Sequence, residues 1–389
     1  MKRRNIVLFP VLFLTLACIP LQQKVVVDVA AIDRVRILSG AGKFMTEPPL
    51  TITSFPSPRS AGGIHEYFSE GDYWWPDPKN PEGPYIQRDG MTNPDNFNKH
   101  REVMQRFCRA VSTLAAAYKI THDEKYAEQA VTHLKAWFIG DSTKMFPHLK
   151  YAQAIKGRFT GRGIGIIDTI HLIEVARAIE VLSGSPSFPA VDESAIKKWF
   201  AEYLEWMTTH QYGLDERETK NNHATWWVAQ VAAFAHLVHD TATLAYCRDR
   251  FKTVLLPHQM AVDGSFPGEL RRTKPYNYSL FNIEGMATIC RILSSRSDDL
   301  WSFTLPDGRS MHKGMEFMYP FIVDKSKWPY PKDVMYFEYY PGRQPSLLFA
   351  GIAFDEPKYI EAWKKFDPDP TNAEVQRSIP LRQPVLWVR

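Results

Sequence analysis

Apolar residues in the middle of the chain recur at three- and four-residue spacing. Val103, Met104, Phe107, Cys108, Val111, Leu114, Ala115 and Tyr118 trace one stripe, as a helix with one buried face requires. A second stripe follows Thr121 and Glu124, which read as a capping box, and runs through Tyr126, Ala127, Ala130, Val131, Leu134, Trp137 and Phe138. The short join predicts two antiparallel helices. Helical stripes return at 166–182, 195–207, 225–238, 244–255 and 280–293, separated by polar joins containing Gly or Pro. Strand signals are confined to 334–340 and 385–388. No sequence repeat of about 34 or 40 residues relates the helices, which weighs against a solenoid. Helical hairpins without self-similarity suit a mainly α fold, an α/α toroid in which paired helices ring a central cleft.

Ahead of this region, 22–99 is rich in Pro, Gly and aromatic residues, with Pro48, Pro49, Pro56, Pro58, Pro76, Pro78, Pro81 and Pro84. Interior prolines remove donors and clash with the preceding turn, so the segment is expected to be an ordered, loop-rich cover on a single toroid domain spanning 22–389. Residues 1–18 begin with Lys2, Arg3 and Arg4 and continue into an apolar run ending at Ala17-Cys18, the layout of an export signal. Cys18 is a candidate lipid-attachment residue, with plain signal-peptide cleavage nearby as the equal alternative; either way the protein is expected to be exported, periplasmic or anchored to the outer membrane.

Composition is that of a globular protein, 44% hydrophobic and 23% charged. Removal of the leader lowers the formal charge from +4 to +1, too little for bulk nucleic-acid binding, which rests on phosphate neutralisation. Cys108, Cys247 and Cys290 are too scattered for a disulfide framework or close-spaced zinc ligands and read as core residues. The histidines, His122, His133 and His171 among them, lack metal-ligand spacing. No cofactor is required, and a structural calcium held by loop carboxylates is left open.

Two clusters carry candidate chemistry. Lys220-Asn221-Asn222-His223 places two amides and an imidazole where a helical stripe begins; its ordinary reading is a helix cap with a satisfied histidine. Glu269-Leu270-Arg271-Arg272-Thr273-Lys274-Pro275-Tyr276-Asn277-Tyr278-Ser279 places cations and phenols on a Pro-interrupted loop before the next helix; its ordinary reading is a solvated basic loop. Together they resemble the alginate lyase superfamily of polysaccharide lyases, through Asn222-His223, Arg272 and Tyr278-Ser279-Leu280-Phe281-Asn282. Tyr73-Trp74-Trp75-Pro76-Asp77-Pro78, Arg88-Asp89-Gly90, Tyr151-Ala152-Gln153 and Gly161-Arg162-Gly163-Ile164-Gly165 extend the resemblance over roughly 64–349.

The resemblance implies β-elimination on a 4-linked uronic-acid polymer, alginate first and glucuronan second. Such a lyase removes the C5 proton beside a carboxylate and expels the 4-oxygen. Asn222 and Arg272 are then expected to neutralise the carboxylate. Tyr278 is expected to act as the acid, and also as the base when both events lie on one face of the sugar; cations at Arg271, Arg272 and Lys274 are expected to lower its pKa. His223 would be the base on the opposite face, or would hold the carboxylate. Trp74, Trp75, Gln153, Arg162, Arg271 and Tyr276 are the expected substrate contacts, with Arg272 favoured over Arg271 and Tyr278 over Tyr276 for the reaction itself. Two other functions compete: a surface lipoprotein that binds glycans without cleaving them, and a toroidal glycoside hydrolase using two carboxylates from Asp168, Asp215, Glu216, Glu218, Glu269 and Glu284.

Overall fold

The computed structural model describes residues 25–388; the leader and Cys18 lie outside the described residues. The first hairpin is α2 (Lys99–Thr121) and α3 (Glu124–Phe138), preceded by α1 (Val29–Phe44). The cap between α2 and α3 differs from the expected box. Thr121 belongs to the end of α2, donating back to the Ala117 carbonyl, and Asp123 caps α3 by accepting the Lys125 N–H. Helix α1 corrects the expectation that 22–99 is loop. Its buried face, Val29, Asp33, Ile37 and Ala41, includes a carboxylate, so the stripe does not read as apolar, and the prolines begin only beyond its end.

Further along lie α4 (Leu172–Leu182), α5 (Ala190–Thr209), α6 (Gln211–Arg217), α7 (Asn222–Leu237), α8 (Thr241–Arg250), and the short turns α9 (Leu256–Gln259) and α10 (Pro267–Leu270). They are followed by α11 (Pro275–Leu293), α12 (Met311–Val323), α13 (Pro345–Phe354), α14 (Pro357–Lys365) and α15 (Ala373–Arg377). The expected strands at 334–340 and 385–388 are instead single 3-10 turns at Phe337–Tyr339 and Pro384–Leu386. Tyr336 there adopts a left-handed conformation, φ 69°, which breaks an extended run. The strands that do form are short: β1 (Phe68–Glu70) pairs in parallel with β4 (Tyr151–Ala154), and β2 (Trp74–Trp75) pairs antiparallel with β3 (Ile86–Gln87).

Helices α2, α4, α7, α11 and α13 pack successively as an inner ring, and α3, α5, α8, α12 and α14 lie against them outside. This is the expected α/α toroid. Helix α1 packs on α2 and is tied to residues at both ends of α13: Asp33 pairs with Arg343 at 2.5 Å just before α13, and the Val25 N–H donates to Asp355 just after it. The inner helices share one direction. From the last turns of α2 and α11, Lys119 and Arg291 donate to the carbonyls of Val385 and Trp387 at 2.6 and 2.8 Å, and Arg177 from the middle of α4 donates to the Leu386 carbonyl at 2.8 Å. Cations suit the negative end of the helix dipoles, and here they also draw the last residues across that end of the ring. The opposite end, where the inner helices begin, stays open. Cys108, Cys247 and Cys290 are buried free thiols, as expected.

Glu284, inside α11, accepts hydrogen bonds from the backbone N–H and hydroxyl of Ser346 at the start of α13. Burial pushes its carboxyl up to about 8 against those bonds. Since the folded pKa exceeds the unfolded one, its contribution to stability is complete below the unfolded value of about 4 and is lost as pH rises through the folded value. Glu284→Gln is therefore expected to flatten the decline in Tm across that window. An unchanged decline would contradict this assignment.

Candidate active site

Asn221, in extended conformation, caps α7 by accepting the His223 N–H, so the ordinary reading of an asparagine at a helix start applies to this residue. Asn222 and His223 are thereby placed in the first turn of α7, at the open end of the ring. His223 Nδ1 lies 2.7 Å from Oε1 of Glu216, a carboxylate on α6 with no exposed side-chain surface. In the neutral imidazole this contact places the proton on Nδ1 and leaves Nε2 as an acceptor. Behind Asn222, Glu269 accepts its backbone N–H at 2.6 Å and its amide Nδ2 at 3.0 Å. Burial raises the Glu269 carboxyl, against the pull of Asn222, Arg272 and His223.

Arg272 and Tyr278 come from the loop before α11 and from its first turn. Asp89 accepts Arg272 Nη2 at 2.8 Å and Nε at 3.3 Å, and the Thr273 hydroxyl at 2.9 Å. Despite burial, these bonds hold Asp89 below its ordinary value. The guanidinium lies 4.6 Å from the Tyr278 ring centroid, and its Nη1 makes no hydrogen bond among the described residues. The Tyr278 hydroxyl is 2.8 Å from that of Tyr73. Burial raises the Tyr278 phenol above its ordinary value, with Arg272 and the Tyr73 hydrogen bond pulling the other way. This overturns the expected lowering: one cation at the ring does not offset desolvation, and Lys274 is engaged elsewhere, 3.1 Å from Glu374 and over the Tyr73 ring.

Below this pair lies a buried ionic network. Asp72 binds Arg101 at 2.6 Å and Arg377 at 2.7 Å; although burial opposes its charge, the two arginines hold it well below the carboxylate range. Asp168 accepts from Ser69 at 2.6 Å, from Tyr67 at 3.2 Å and from Gln153 Nε2 at 3.2 Å. Gln153 sits at φ 50°, a left-handed backbone unusual outside glycine. Its carbonyl and side-chain oxygen receive Arg162 Nε at 2.9 Å and Nη2 at 3.3 Å. Burial brings Arg162 down to about 10, so it remains charged at neutral pH. A β-carbon on Gly161 would lie 2.0 Å from the Lys150 carbonyl oxygen, so the Arg162 loop can pass β4 this closely only with glycine there.

Asn222, His223, Arg272, Tyr278, Trp74, Gln153 and Arg162 all line one cleft, together with Asp72, Tyr73, Asp89, Glu374 and Arg377. Three expected substrate contacts do not line it. Arg271 is exposed on the loop surface. Tyr276 is buried against Trp328 and Phe337, its hydroxyl donating to the Phe321 carbonyl; two residues before Tyr278, it falls on a different side of α11. Trp75 donates to the Met91 carbonyl and lies beneath Arg88. Trp74 is no bare stacking platform, because Arg158 and Arg162 lie 5.5 and 5.7 Å from its ring centroid. Sequence reasoning missed the carboxylates Asp72, Asp89 and Glu374, the phenol Tyr73 and the cation Arg377 as parts of the cleft, and it named Glu216 and Glu269 only as candidate hydrolase carboxylates, not as the partners of His223 and Asn222. Tyr73 and Asp89 stand inside the motifs that carry the resemblance, whereas Glu374 and Arg377 come from a C-terminal stretch without any signal.

A family model described as alginate lyase matches residues 51–328. Among solved structures, an alginate lyase from Bacteroides ovatus is 30% identical, with a TM-score of 0.79 over 93% of this chain and 94% of that one. Alginate lyase A1-III from Sphingomonas species A1 is 16% identical, with a TM-score of 0.54 over 93% and 95%. A variant of A1-III complexed with a tetrasaccharide is 17% identical, with a TM-score of 0.53 over 85% and 88%. No curated protein sequence matches the chain.

The cleft geometry sets an order for the Tyr278 phenol. Its ionisation, read as the ultraviolet difference between the protein and Tyr278→Phe, is expected above the free tyrosine value of about 10. Arg272→Ala is expected to raise it further, because the group that lowers it is gone. A step at or below the free value, or a downward move in Arg272→Ala, would refute this ordering.

Proposed function

The chain belongs to the alginate lyase family and is a polysaccharide lyase; on that premise we propose that it cleaves alginate by β-elimination at the cleft of Asn222, His223, Arg272 and Tyr278. The observation that carries this reading is the convergence of a histidine, an arginine and a tyrosine on one cleft. The tetrasaccharide bound by an A1-III variant supports an anionic oligosaccharide as ligand.

Elimination needs the substrate carboxylate neutralised while charge moves onto it. Arg272 is suited to that role, since Asp89 fixes its orientation and Nη1 remains open. Asn222 donates its amide to both oxygens of Glu269 at 3.0 Å, so its contact with a substrate carboxylate would require exchanging one of those bonds. Tyr278, protonated at rest because of burial, gives its proton to the departing 4-oxygen. Tyr73 is half-buried, and desolvation raises its phenol well above the ordinary value, so it stays neutral and donates to the Tyr278 oxygen as charge develops there. His223, held at Nδ1 by Glu216, presents Nε2 as base where the C5 proton lies on the face opposite Tyr278. On same-face substrates Tyr278 reacts instead from its phenolate form, which Arg272 and the Tyr73 hydrogen bond favour, taking the C5 proton and passing it on to the 4-oxygen. Glucuronan presents the same carboxylate beside C5 and is the second candidate polymer.

The hydrolase reading lacks support, because none of Asp168, Asp215, Glu216, Glu218, Glu269 and Glu284 lines the cleft, and the carboxylates that do are paired, Asp89 with Arg272, Asp72 with Arg101 and Arg377, and Glu374 with Lys274. For the N-terminal segment we propose an export signal, cleaved either ahead of a lipidated Cys18 or by plain signal-peptide processing nearby. Mass spectrometry of the mature N-terminus tests it.

The functional test is the ultraviolet absorbance of the unsaturated product on polymannuronate, polyguluronate and glucuronan. Tyr278→Phe is expected to lose about 10²–10⁴-fold in kcat on every cleaved polymer, and Arg272→Ala about 10²–10³-fold. His223→Ala is expected to lose more on polyguluronate than on polymannuronate. New reducing ends without absorbance would establish hydrolysis, and binding without either would establish a glycan-binding protein.

A further inference from the structure

Beyond the cleft rim, β4 runs into a tight turn in which Ile155 and Phe159 exchange backbone hydrogen bonds at 2.8 and 3.0 Å. Gly157 crosses this turn at φ 73° against Pro84, where a side chain would be both strained and blocked. The turn projects Lys156, Arg158 and Phe159 outward, and Phe159 is 56% exposed. Arg158 is anchored at one edge only: Nε donates to the Tyr85 carbonyl at 2.7 Å, and the guanidinium lies over Trp74. Among the described residues no carboxylate pairs with it, whereas its neighbour Lys156 is 3.6 Å from Glu82. Trp74 also carries Arg162 and forms part of the cleft wall, so Arg158 continues the line of cations that starts inside the cleft.

We propose that Arg158, backed by Trp74 and flanked by Phe159, is a carboxylate-binding subsite outside the catalytic cleft that holds a distal uronate unit of a polymeric substrate. The proposal rests on reading the cleft as that of a uronate lyase. Three physical arguments carry it. A guanidinium on an aromatic face keeps its orientation, so less freedom is lost when it grips a carboxylate. Its terminal N–H groups make no hydrogen bond among the described residues, the side chain is exposed, and a guanidinium so placed suits a bidentate contact. A polymer with one carboxylate per sugar gains from each cation placed along its path, whereas a short oligomer confined to the cleft gains nothing from one beyond the rim.

The test compares Arg158→Ala and Arg158→Lys with the unsubstituted protein on polymannuronate and on a trimannuronate. Arg158→Ala is expected to raise KM on the polymer about tenfold at low salt with kcat within about twofold, and the effect is expected to shrink as salt screens the contact. On the trisaccharide the change should be smaller than on the polymer, and Arg158→Lys should recover part of the polymer affinity. Equal losses on both substrates, or no loss on either, would overturn the proposal. Retardation of Tyr278→Phe, with and without Arg158→Ala, in gels containing polymannuronate or neutral dextran separates this subsite from the lyase reading. Weaker retardation by polymannuronate alone supports the subsite even if no polymer is cleaved, and unchanged retardation rejects it even if elimination is confirmed.

Discussion

Asp72 is the point at which three distant parts of the chain are bound together. It lies in the N-terminal cover, pairs with Arg101 in the first turn of α2, and pairs again with Arg377 in the C-terminal α15. A lone buried carboxylate would cost several kcal/mol in desolvation; here each partner supplies what the other lacks, so removing any one leaves an uncompensated charge beneath the cleft. The consequence is positional. Tyr73 and Trp74 follow Asp72 directly, so the salt bridges that secure Asp72 also fix the phenol that meets Tyr278 and the indole that backs the rim arginines.

The cleft follows one rule of charge. Its cations are held by carboxylates, as Arg272 is by Asp89, Lys274 by Glu374 and Arg377 by Asp72, or by neutral groups, as Arg162 is by Gln153. Such cations are oriented before a ligand arrives, which is where electrostatic stabilisation of developing charge gains its advantage. Burial works in the opposite sense on the phenols and on Glu269, keeping them protonated more readily than in water. A site with fixed cations and a neutral, buried phenol is arranged to donate a proton beside a carboxylate.

The helical hairpins and the ring they build were legible because buried helix faces repeat every three to four residues. Helix α1 was not, because its inward face carries Asp33, whose counter-ion Arg343 lies 310 residues away. The apparent strands near the C-terminus failed for a related reason: short apolar runs there pack as turns, and Lys119, Arg177 and Arg291 rather than a neighbouring strand satisfy the final carbonyls. At the cleft, local motifs pointed to Asn222, His223, Arg272 and Tyr278. They did not reveal Glu374 or Arg377, nor that Glu216 and Glu269 stand behind His223 and Asn222, since a carboxylate's value to a site depends on which cation or amide the fold sets against it. Tyr276 and Tyr278 could be ranked by motif, but only the helix phase of α11 separates a core phenol from a cleft phenol.

The most direct test of the central claim is a crystal structure of Tyr278→Phe with an oligomannuronate bound across the cleft. The account predicts the carboxylate of one sugar on Arg272, with that sugar's C5 hydrogen and its 4-oxygen facing the place of the missing hydroxyl, within about 3 Å of where it would stand. A carboxylate bound elsewhere, with position 278 remote from both C5 and the 4-oxygen, would contradict it.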